Sequence, residues 1–194
     1  MVLSHNEYYI SPEEYLETEK LSIIKHEYLD GQVYQISSTR SDAHVTITLN
    51  LASLLLSELR RKSYRVYMAD MKTQIESINR YFYPDVIVTG DARDKEYKYF
   101  KRYPCLIVEV LSDMTEAYDR GKKFADYRQL KTLKEYVLIS QDVMSVDCFR
   151  RNENGRWELF PYVRGDKVDF ASVDVHFNIA DIYEDVDLIV DSTP

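Results

Sequence analysis

The chain has 194 residues, of which 45% are hydrophobic and 30% charged, a composition that indicates one folded domain and excludes a disordered protein. The net charge of −8 argues at first against a nucleic-acid partner, and the longest apolar-rich segment, 45–59, is too often interrupted by polar residues to span a membrane. The N-terminus lacks a basic region followed by an apolar one, so secretion is not expected. Cys105 and Cys148 have neither disulfide-framework nor metal-finger spacing, which favours buried thiols in a reducing cytoplasm.

The organisation of the chain indicates a single domain. No repeat, low-complexity tract or Gly/Ser linker divides it, so we expect one domain over residues 1–194 with a core from about 8 to 187. Charge is uneven: residues 92–140 carry 11 basic and 8 acidic side chains, whereas residues 141–194 carry 5 and 12. A polyanion site in the middle of the chain is compatible with this distribution.

Capping and turn residues mark the elements of the first third. Ser11 and Glu14 form a capping box, and Asp30-Gly31 is a two-residue hairpin turn. The cations from Arg60 to Arg65 are either a solvated helix end or contacts for phosphates. The predicted elements are a helix from Pro12 to about Lys20, a hairpin over 26–36 and a long helix over 41–62.

A β-rich block follows the long helix. The predicted strands lie at 65–71, 72–76 and 81–88, with a turn at 77–80. Residues 104–111 are nearly all apolar, which predicts a central strand buried on both faces. A helix over 115–130 and a strand over 135–140 complete a crossover, so part of the sheet is parallel. A hairpin over 145–150 and 156–162, joined across 152–155, ends the pattern, and the class is α/β with a mixed sheet.

Two acidic residues lie where packing alone would not place them. Asp85 follows Pro84 within a strand, and Glu109 interrupts the apolar run LIVEVL. A buried carboxylate is costly unless it is paired or bound to a metal. Carboxylates on neighbouring strands can share one hard divalent cation, with a backbone carbonyl and waters completing its shell.

The helix that follows supplies a third element of this candidate site. Asp119, Lys123 and Tyr127 are spaced i, i+4 and i+8, which places them on one helix face. Lys123, if turned toward Glu109, would neutralise a phosphate or promote ionisation of water. An Asp, a Glu and a Lys around Mg²⁺ are a minimal apparatus for phosphodiester hydrolysis.

The sequence resembles the PD-(D/E)XK nuclease superfamily, with Pro84-Asp85 as the PD element, and within it the Uma-type restriction endonuclease family. The resemblance covers nearly the whole chain and rests on several segments in the right order. These segments are HEYLDGQVY (26–34), His44 at the start of the long helix, YMADMKTQI (67–75), YFYPDVIVTGD (81–91), PCLIVEVLS (104–112), TEAYDRGKKFADYRQL (115–130), LKEYVLISQD (133–142), RWELFPY and DIYEDV.

The resemblance implies a restriction endonuclease-like fold and a role for each matching residue. Asp85 and Glu109 would bind the metal, with the carbonyl of Val110 as a third ligand, and Lys123 would be the catalytic lysine. The residues with auxiliary roles, at the N-terminus or around the substrate, would be Glu27, His44, Asp119 and Tyr127.

The chain departs from the superfamily pattern at two places. Leu111 stands where the signature has lysine, so the lysine must come from the helix, and the adjacent Lys122 is an alternative to Lys123. The family's Ser-Pro-Ser-Thr after the strand is Ser-Asp-Met-Thr at 112–115, which adds the charge of Asp113.

Each candidate also has a purely structural explanation. Asp85 follows a proline and is equally consistent with a turn cap. Asp119 and Lys123 are consistent with an exposed ion pair on a helix, worth about 0.3–0.5 kcal/mol. Glu27 is consistent with an ordinary surface residue, and His44 with a local hydrogen-bond partner near the helix start. The 17 tyrosines fall mainly at strand positions, which favours packing over base stacking.

The expected function is that of a Mg²⁺-dependent DNA endonuclease, with Mn²⁺ as an alternative ion and a homodimer as the assembly. Two alternatives stay open: a nuclease-fold module that binds nucleic acid or protein with weak catalysis, and a hydrolase of another phosphoester such as a nucleotide. A shallow basic groove would favour DNA, and a closed pocket a small substrate.

Overall fold

The computed structural model describes residues 9–36 and 40–188, and the ends of the predicted domain lie outside this part. The helices are α1 (Pro12–Leu21), α2 (Asp42–Leu59), α3 (Glu116–Tyr118), α4 (Phe124–Tyr127) and α5 (Ile179–Ile182), with a π-helical turn at Asp119–Lys123. The strands are β1 (His26–Leu29), β2 (Gln32–Gln35), β3 (Arg65–Met68), β4 (Lys72–Ile75), β5 (Arg80–Phe82), β6 (Val86–Thr89), β7 (Phe100–Lys101), β8 (Leu106–Leu111), β9 (Glu135–Ser140), β10 (Ser145–Arg151), β11 (Trp157–Val163), β12 (Lys167–Phe170) and β13 (Val175–Asn178).

A six-stranded sheet with the order β11-β10-β9-β8-β6-β3 forms the centre of the fold. A five-stranded sheet, β2-β1-β5-β4-β7, and the β12-β13 hairpin accompany it. Strand β8 pairs parallel with β9 and antiparallel with β6, which confirms the predicted α/β class with a mixed sheet. Within the part of the chain that the structure describes, no helix is long and apolar enough to cross a bilayer.

The central strand β8 alternates its side chains between two cores, because successive residues of a strand point to opposite faces. Val108 and Val110 pack with α2, whereas Ile107 and Leu111 pack against α4. All six residues of β8 are buried, as the apolar run predicts. Glu109 therefore points to the side of the helical crossover between β8 and β9.

The local signals of the first third are confirmed. The hydroxyl of Ser11 accepts a hydrogen bond from the amide of Glu14 at 3.1 Å, which caps α1. Asp30 and Gly31 both have positive φ, 45° and 93°, as the turn of the β1–β2 hairpin requires. The predicted packing role of tyrosine also holds for a buried stacked cluster around Tyr28.

The predicted strand over 81–88 is wrong as a single element. The chain forms β5 in the five-stranded sheet, leaves it at Tyr83, and begins β6 in the six-stranded sheet at Val86. Pro84 explains the break, since it has no amide hydrogen to donate to a ladder. Asp85 lies at the junction between the two sheets.

The helix predicted over 115–130 is shorter and is interrupted. It ends at Tyr127, after which the amide of Leu130 bonds to the carbonyl of Tyr127 at 3.0 Å in a tighter turn. The π-helical turn at Asp119–Lys123 places the side chains of Asp119 and Lys123 in the interior. Such turns in helices are frequent at functional sites.

Several other boundaries differ from the prediction. The long helix ends at Leu59 rather than at 62, and Arg60 is its C-cap. The strand predicted over 65–71 stops at Met68 because Ala69 has a φ of 58°. The pattern did not predict the short strand at 100–101, the hairpin over 167–178 or the last helix.

Candidate active site

The two predicted acids lie beside each other at the end of one ladder of the sheet. The last pair of β6 and β8 is Val86 with Val108, and Asp85 and Glu109 are the residues that follow this pair on the two segments. The Oδ2 of Asp85 accepts a hydrogen bond from the amide of Val110, the residue after Glu109. The break at Pro84 thus does not separate Asp85 from the central sheet.

Asp85 lies on one side of the site among hydrogen-bond donors. Its Oδ2 accepts from the amide of Val110 at 2.8 Å, and its Oδ1 lies 3.1 Å from Nε2 of His44 and 2.5 Å from Nη1 of Arg40. The N-cap hydroxyl of Ser41 fixes the start of α2 by accepting from the amide of His44. Burial alone would raise the pKa of Asp85, but the hydrogen bond and charge of His44, the charge of Arg40 and the Val110 amide together hold that pKa below its ordinary value.

Glu109 lies on the other side, where its partners come from the helical crossover. Its Oε1 is 2.8 Å from Nζ of Lys123 and accepts a hydrogen bond from the hydroxyl of Tyr127 at 3.0 Å. The same Nζ lies 3.3 Å from Oε1 of Glu27 and 3.5 Å from Oδ1 of Asp119. One buried ammonium group therefore contacts three buried carboxylates.

The crowding of acids at Glu109 sets the pKa directions. Burial raises the pKa of Glu109 well above its ordinary value; the charge of Lys123 opposes this rise, and the charges of Asp119 and Asp85 add to it. Burial alone would lower the pKa of Lys123, but the charges of Glu109 and Glu27 raise it well above its ordinary value. Lys123 is therefore a charged ammonium in this site.

A cavity of about 710 Å³ opens over these groups. Its walls carry the acids Glu27, Asp85, Glu109, Asp113 and Asp119, the cations Arg40 and Lys123, and also Gln35, Ile36, Ser41, His44, Tyr83, Val110, Ser112, Met114, Thr115, Tyr118 and Gln141. The basic segment 92–140 contributes only Lys123 to the cations of the lining. The surplus of cations in that segment therefore does not gather at the cavity.

The structure brings the predicted site residues together, although Tyr127 lies behind the cavity and reaches it only through Glu109. Lys122 is exposed and lies outside the lining, whereas Lys123 is buried. Leu111 packs in the same core cluster as Phe124, so this position of β8 is apolar. The ammonium group comes from the crossover instead.

Sequence reasoning missed Arg40, Tyr83 and Tyr118. Arg40 precedes the N-cap of α2 and lies four residues before His44, a spacing that allows both to reach one acid but does not identify that acid. The amide of Tyr83 lies 3.4 Å from Glu27. The hydroxyl of Tyr118 is buried and has no hydrogen-bond partner within residues 9–36 and 40–188. Only the folded chain reveals these positions.

A divalent cation such as Mg²⁺ requires oxygen ligands. Among the described residues, no group of three or more Asp, Glu, His or Cys side chains is arranged to hold a metal ion. Asp85 lies beside Glu109 because it bonds to the amide of the next residue, Val110, and the carbonyl of Val110 leaves the same strand edge as this amide. Buried acids outnumber the cations that face them. This set fits Mg²⁺, which keeps several waters and needs only one or two protein carboxylates.

The fold of the chain defines its class, and its sequence defines its family. The chain shares its fold with a putative nuclease of DUF820 from Anabaena variabilis ATCC 29413, with a TM-score of 0.71 over 90% of this chain and 97% of that one, at 19% sequence identity. The predicted fold of nuclease-like α/β proteins is thereby confirmed. Residues 12–178 match the Uma2 family, described as "Putative restriction endonuclease", and the chain belongs to this family.

Two relatives from Synechocystis sp. (strain ATCC 27184 / PCC 6803 / Kazusa) resemble the chain over most of its length. "Uncharacterized protein slr1290" is 39% identical over 174 residues, which are 90% of this chain and 91% of the relative. "Uncharacterized protein sll1609" is 32% identical over 152 residues, which are 75% and 83% respectively. The fold and the family together support a nuclease-like function.

Proposed function

We propose that this protein is a metal-dependent DNA endonuclease that hydrolyses phosphodiester bonds at the cavity around Asp85, Glu109 and Lys123. The observation that carries the proposal is the contact of one buried ammonium, Lys123, with Glu109, beside a second buried acid, Asp85, directly before the neighbouring strand β6. A purely structural ion pair leaves the surplus of buried acid unexplained, because uncompensated charges in a protein interior are costly. Family membership supports the same reaction class.

Asp85, Glu109 and the carbonyl of Val110 would hold the divalent cation, Mg²⁺ or Mn²⁺. When bound, such a cation supplies positive charge that stabilises the negative charge growing on the phosphate. The excess of carboxylates at Glu109 favours this position for a cation.

The protein's own groups orient the reactants. The Lys123 ammonium donates to the attacking water or to a phosphate oxygen, and its three carboxylate contacts hold it in place. His44 and Arg40 fix the orientation of Asp85, and Tyr127 fixes that of Glu109. Glu27 and Asp119 help to hold Lys123 in place.

The test is nicking of supercoiled plasmid by the purified protein with Mg²⁺ or Mn²⁺, beside an EDTA control. We expect metal-dependent nicking that falls at least about 100-fold in Glu109→Ala and Lys123→Ala. Lys122→Ala is the matched control, since it removes the same charged group from an exposed neighbour. Far-UV circular dichroism checks that each variant is folded. Nicking that survives in both site variants contradicts the site.

The size of the cavity favours a second candidate function, hydrolysis of a small phosphoester such as a nucleotide. A volume of about 710 Å³ lies in the range of small-molecule sites, and the lining is not a basic groove. Release of nitrophenol from bis(4-nitrophenyl) phosphate and of phosphate from nucleotides would identify it. Activity on these compounds without plasmid nicking selects the second candidate. Inertness on all of them, with DNA binding retained, selects a binding module.

We further propose a cytoplasmic homodimer. Cys105 and Cys148 are both free and buried, which agrees with a reducing compartment. Cleavage of a duplex needs two cuts, which a symmetric dimer supplies with two copies of one site. Sedimentation equilibrium measures the assembly.

A further inference from the structure

The outward face of α2 carries a continuous row of exposed residues. Its members recur at intervals of three or four, which places them in one stripe along the helix. This stripe, called here the α2 seam, consists of Asp42, Val45, Leu49, Ser53, Leu56 and, at the C-cap, Arg60. The opposite face of α2 packs into the core under the central sheet.

The middle of the α2 seam is apolar although it faces solvent. Val45 is 50% exposed, Leu49 54% and Leu56 42%. A solvent-facing helix stripe is normally polar, and contiguous exposed apolar residues mark interaction surfaces. Val45, Leu49 and Leu56 thus recur at the spacing of a coiled-coil face, with Ser53 between the two leucines.

The two ends of the seam carry opposite charges. Asp42 accepts a hydrogen bond from the amide of the next residue, and within the described part of the chain neither Asp42 nor Arg60 forms an ion pair. Two copies of such a helix are complementary when they run antiparallel, since the acidic end of each then meets the basic end of the other. A parallel pair would instead place like charges together at both ends.

We propose that the α2 seam is the interface with a second copy of this chain, paired antiparallel about a two-fold axis that crosses the seam between Leu49 and Ser53. Asp42 of each copy then faces Arg60 of the other, so the symmetry forms this ion pair twice. Leu49 packs opposite Ser53 of the second copy, whose small side chain permits close approach of the helices. The proposal deepens the homodimer proposed above and does not depend on the nuclease reaction.

The pairing has a consequence for the two cavities. Ser41 and His44 lie at the N-terminal end of α2 and line the cavity. An antiparallel pair therefore holds the two cavities at opposite ends of the helix pair. A helix of 18 residues is about 27 Å long at the usual rise of 1.5 Å per residue.

Charge exchange tests the seam. Sedimentation equilibrium of the full chain should give twice the 23.0 kDa chain mass. We expect Asp42→Arg and Arg60→Glu each to weaken dimerisation at least about tenfold, because each replaces two attractions by two repulsions. The double variant D42R/R60E should return the dissociation constant to within about threefold of wild type. Leu49→Arg should give a monomer.

Glu58→Arg is the matched control, since Glu58 is exposed on the same helix but lies outside the seam. It should leave the dimer intact. A wild-type monomer, including one that binds a different protein, overturns the self-pairing. If neither the charge reversals nor L49R changes the dissociation constant of the dimer, the protein is a homodimer but the α2 seam is not its interface. Neither result bears on plasmid nicking, so failure of the nuclease proposal is read separately.

Discussion

Two of the buried carboxylates that line the cavity, Asp85 and Glu109, have surroundings that differ in kind. Asp85 accepts from a backbone amide and faces His44 and Arg40, whereas Glu109 shares Lys123 with Glu27 and Asp119. The two residues are buried to about the same extent, with 4% of the surface of Asp85 and 3% of that of Glu109 exposed. Yet the pKa of Asp85 is lowered and that of Glu109 is raised. The partners, and not the burial, decide which acid keeps its charge at low pH.

The excess of buried negative charge lies on the Glu109 side of the cavity. The Asp85 side is compensated by the protein's own donors, as a structural acid usually is. The Glu109 side has more buried carboxylates than cations, which is an arrangement that favours a bound cation and is costly without one. Acidic clusters left in this state are typical of functional sites, where stability is given up for activity.

The largest expected effect comes from removing the shared cation of the Glu109 side. Lys123→Met leaves Glu27, Glu109 and Asp119 without their common partner, so the free energy of unfolding should fall by about 3–5 kcal/mol. Urea denaturation in EDTA measures it. Lys122→Met, an exposed neighbour, should change it by less than about 0.5 kcal/mol. Equal effects of the two variants would contradict the buried network.

The two acids should respond oppositely to loss of charge. Asp85→Asn weakens the contacts to His44 and Arg40 and should lower the free energy of unfolding by about 1–3 kcal/mol. Glu109→Gln removes one surplus buried charge and should raise it by about 1 kcal/mol in metal-free protein. Both should lose metal-dependent nicking. If both variants lower the stability equally, the two sides do not differ as described.

The stabilities of Asp85→Asn and Glu109→Gln, each relative to wild type, should also depend differently on pH in EDTA. The pKa of Glu109 is raised in the folded protein, so the unfolded chain releases this proton first and wild type loses stability as the pH rises above the ordinary value of 4.5. The advantage of Glu109→Gln over wild type should therefore grow above pH 4.5. The pKa of Asp85 is lowered, so wild type keeps its advantage over Asp85→Asn above the ordinary 3.8 and loses it as the pH falls below. Thermal melts across this range give both trends.

The smallest effect concerns two tyrosine hydroxyls beside the cavity. Tyr127→Phe removes the hydrogen bond to Glu109 and should lower the free energy of unfolding by about 1 kcal/mol. Tyr118→Phe removes a buried hydroxyl without a partner in the described part of the chain, and should change stability by less than about 0.5 kcal/mol. A larger loss in Tyr118→Phe would mean that its hydroxyl has a partner in the folded protein.

Much of the fold was predictable because it depends on residues that are close together in the sequence. The capping box at Ser11, the Asp30-Gly31 turn and the apolar strand at Leu106–Leu111 each depend on neighbouring residues only. The break at Tyr83–Asp85 was not predicted, since a continuous β-pattern does not reveal that its two halves join different sheets. The π-helical turn at Asp119–Lys123 is likewise a tertiary outcome.

The candidate site divides in the same way. Asp85 and Glu109 were identifiable because acids in apolar strands are uncommon, and helical spacing grouped Asp119 with Lys123. Arg40 and Tyr118 gave no comparable signal, since each becomes part of the cavity only through contacts with distant segments.

By itself, the sequence determined most of the helices and strands between residues 12 and 162, the acids Asp85 and Glu109, and the helix face that carries the lysine, because these follow from residue chemistry and short-range periodicity. Only the tertiary structure decided the rest. It placed Asp85 beside Glu109, placed Lys123 rather than Lys122 in the interior, and left the α2 seam exposed. The physical reason is that register, burial and charge balance are set by contacts between residues far apart in the chain, such as Lys123 with Glu27.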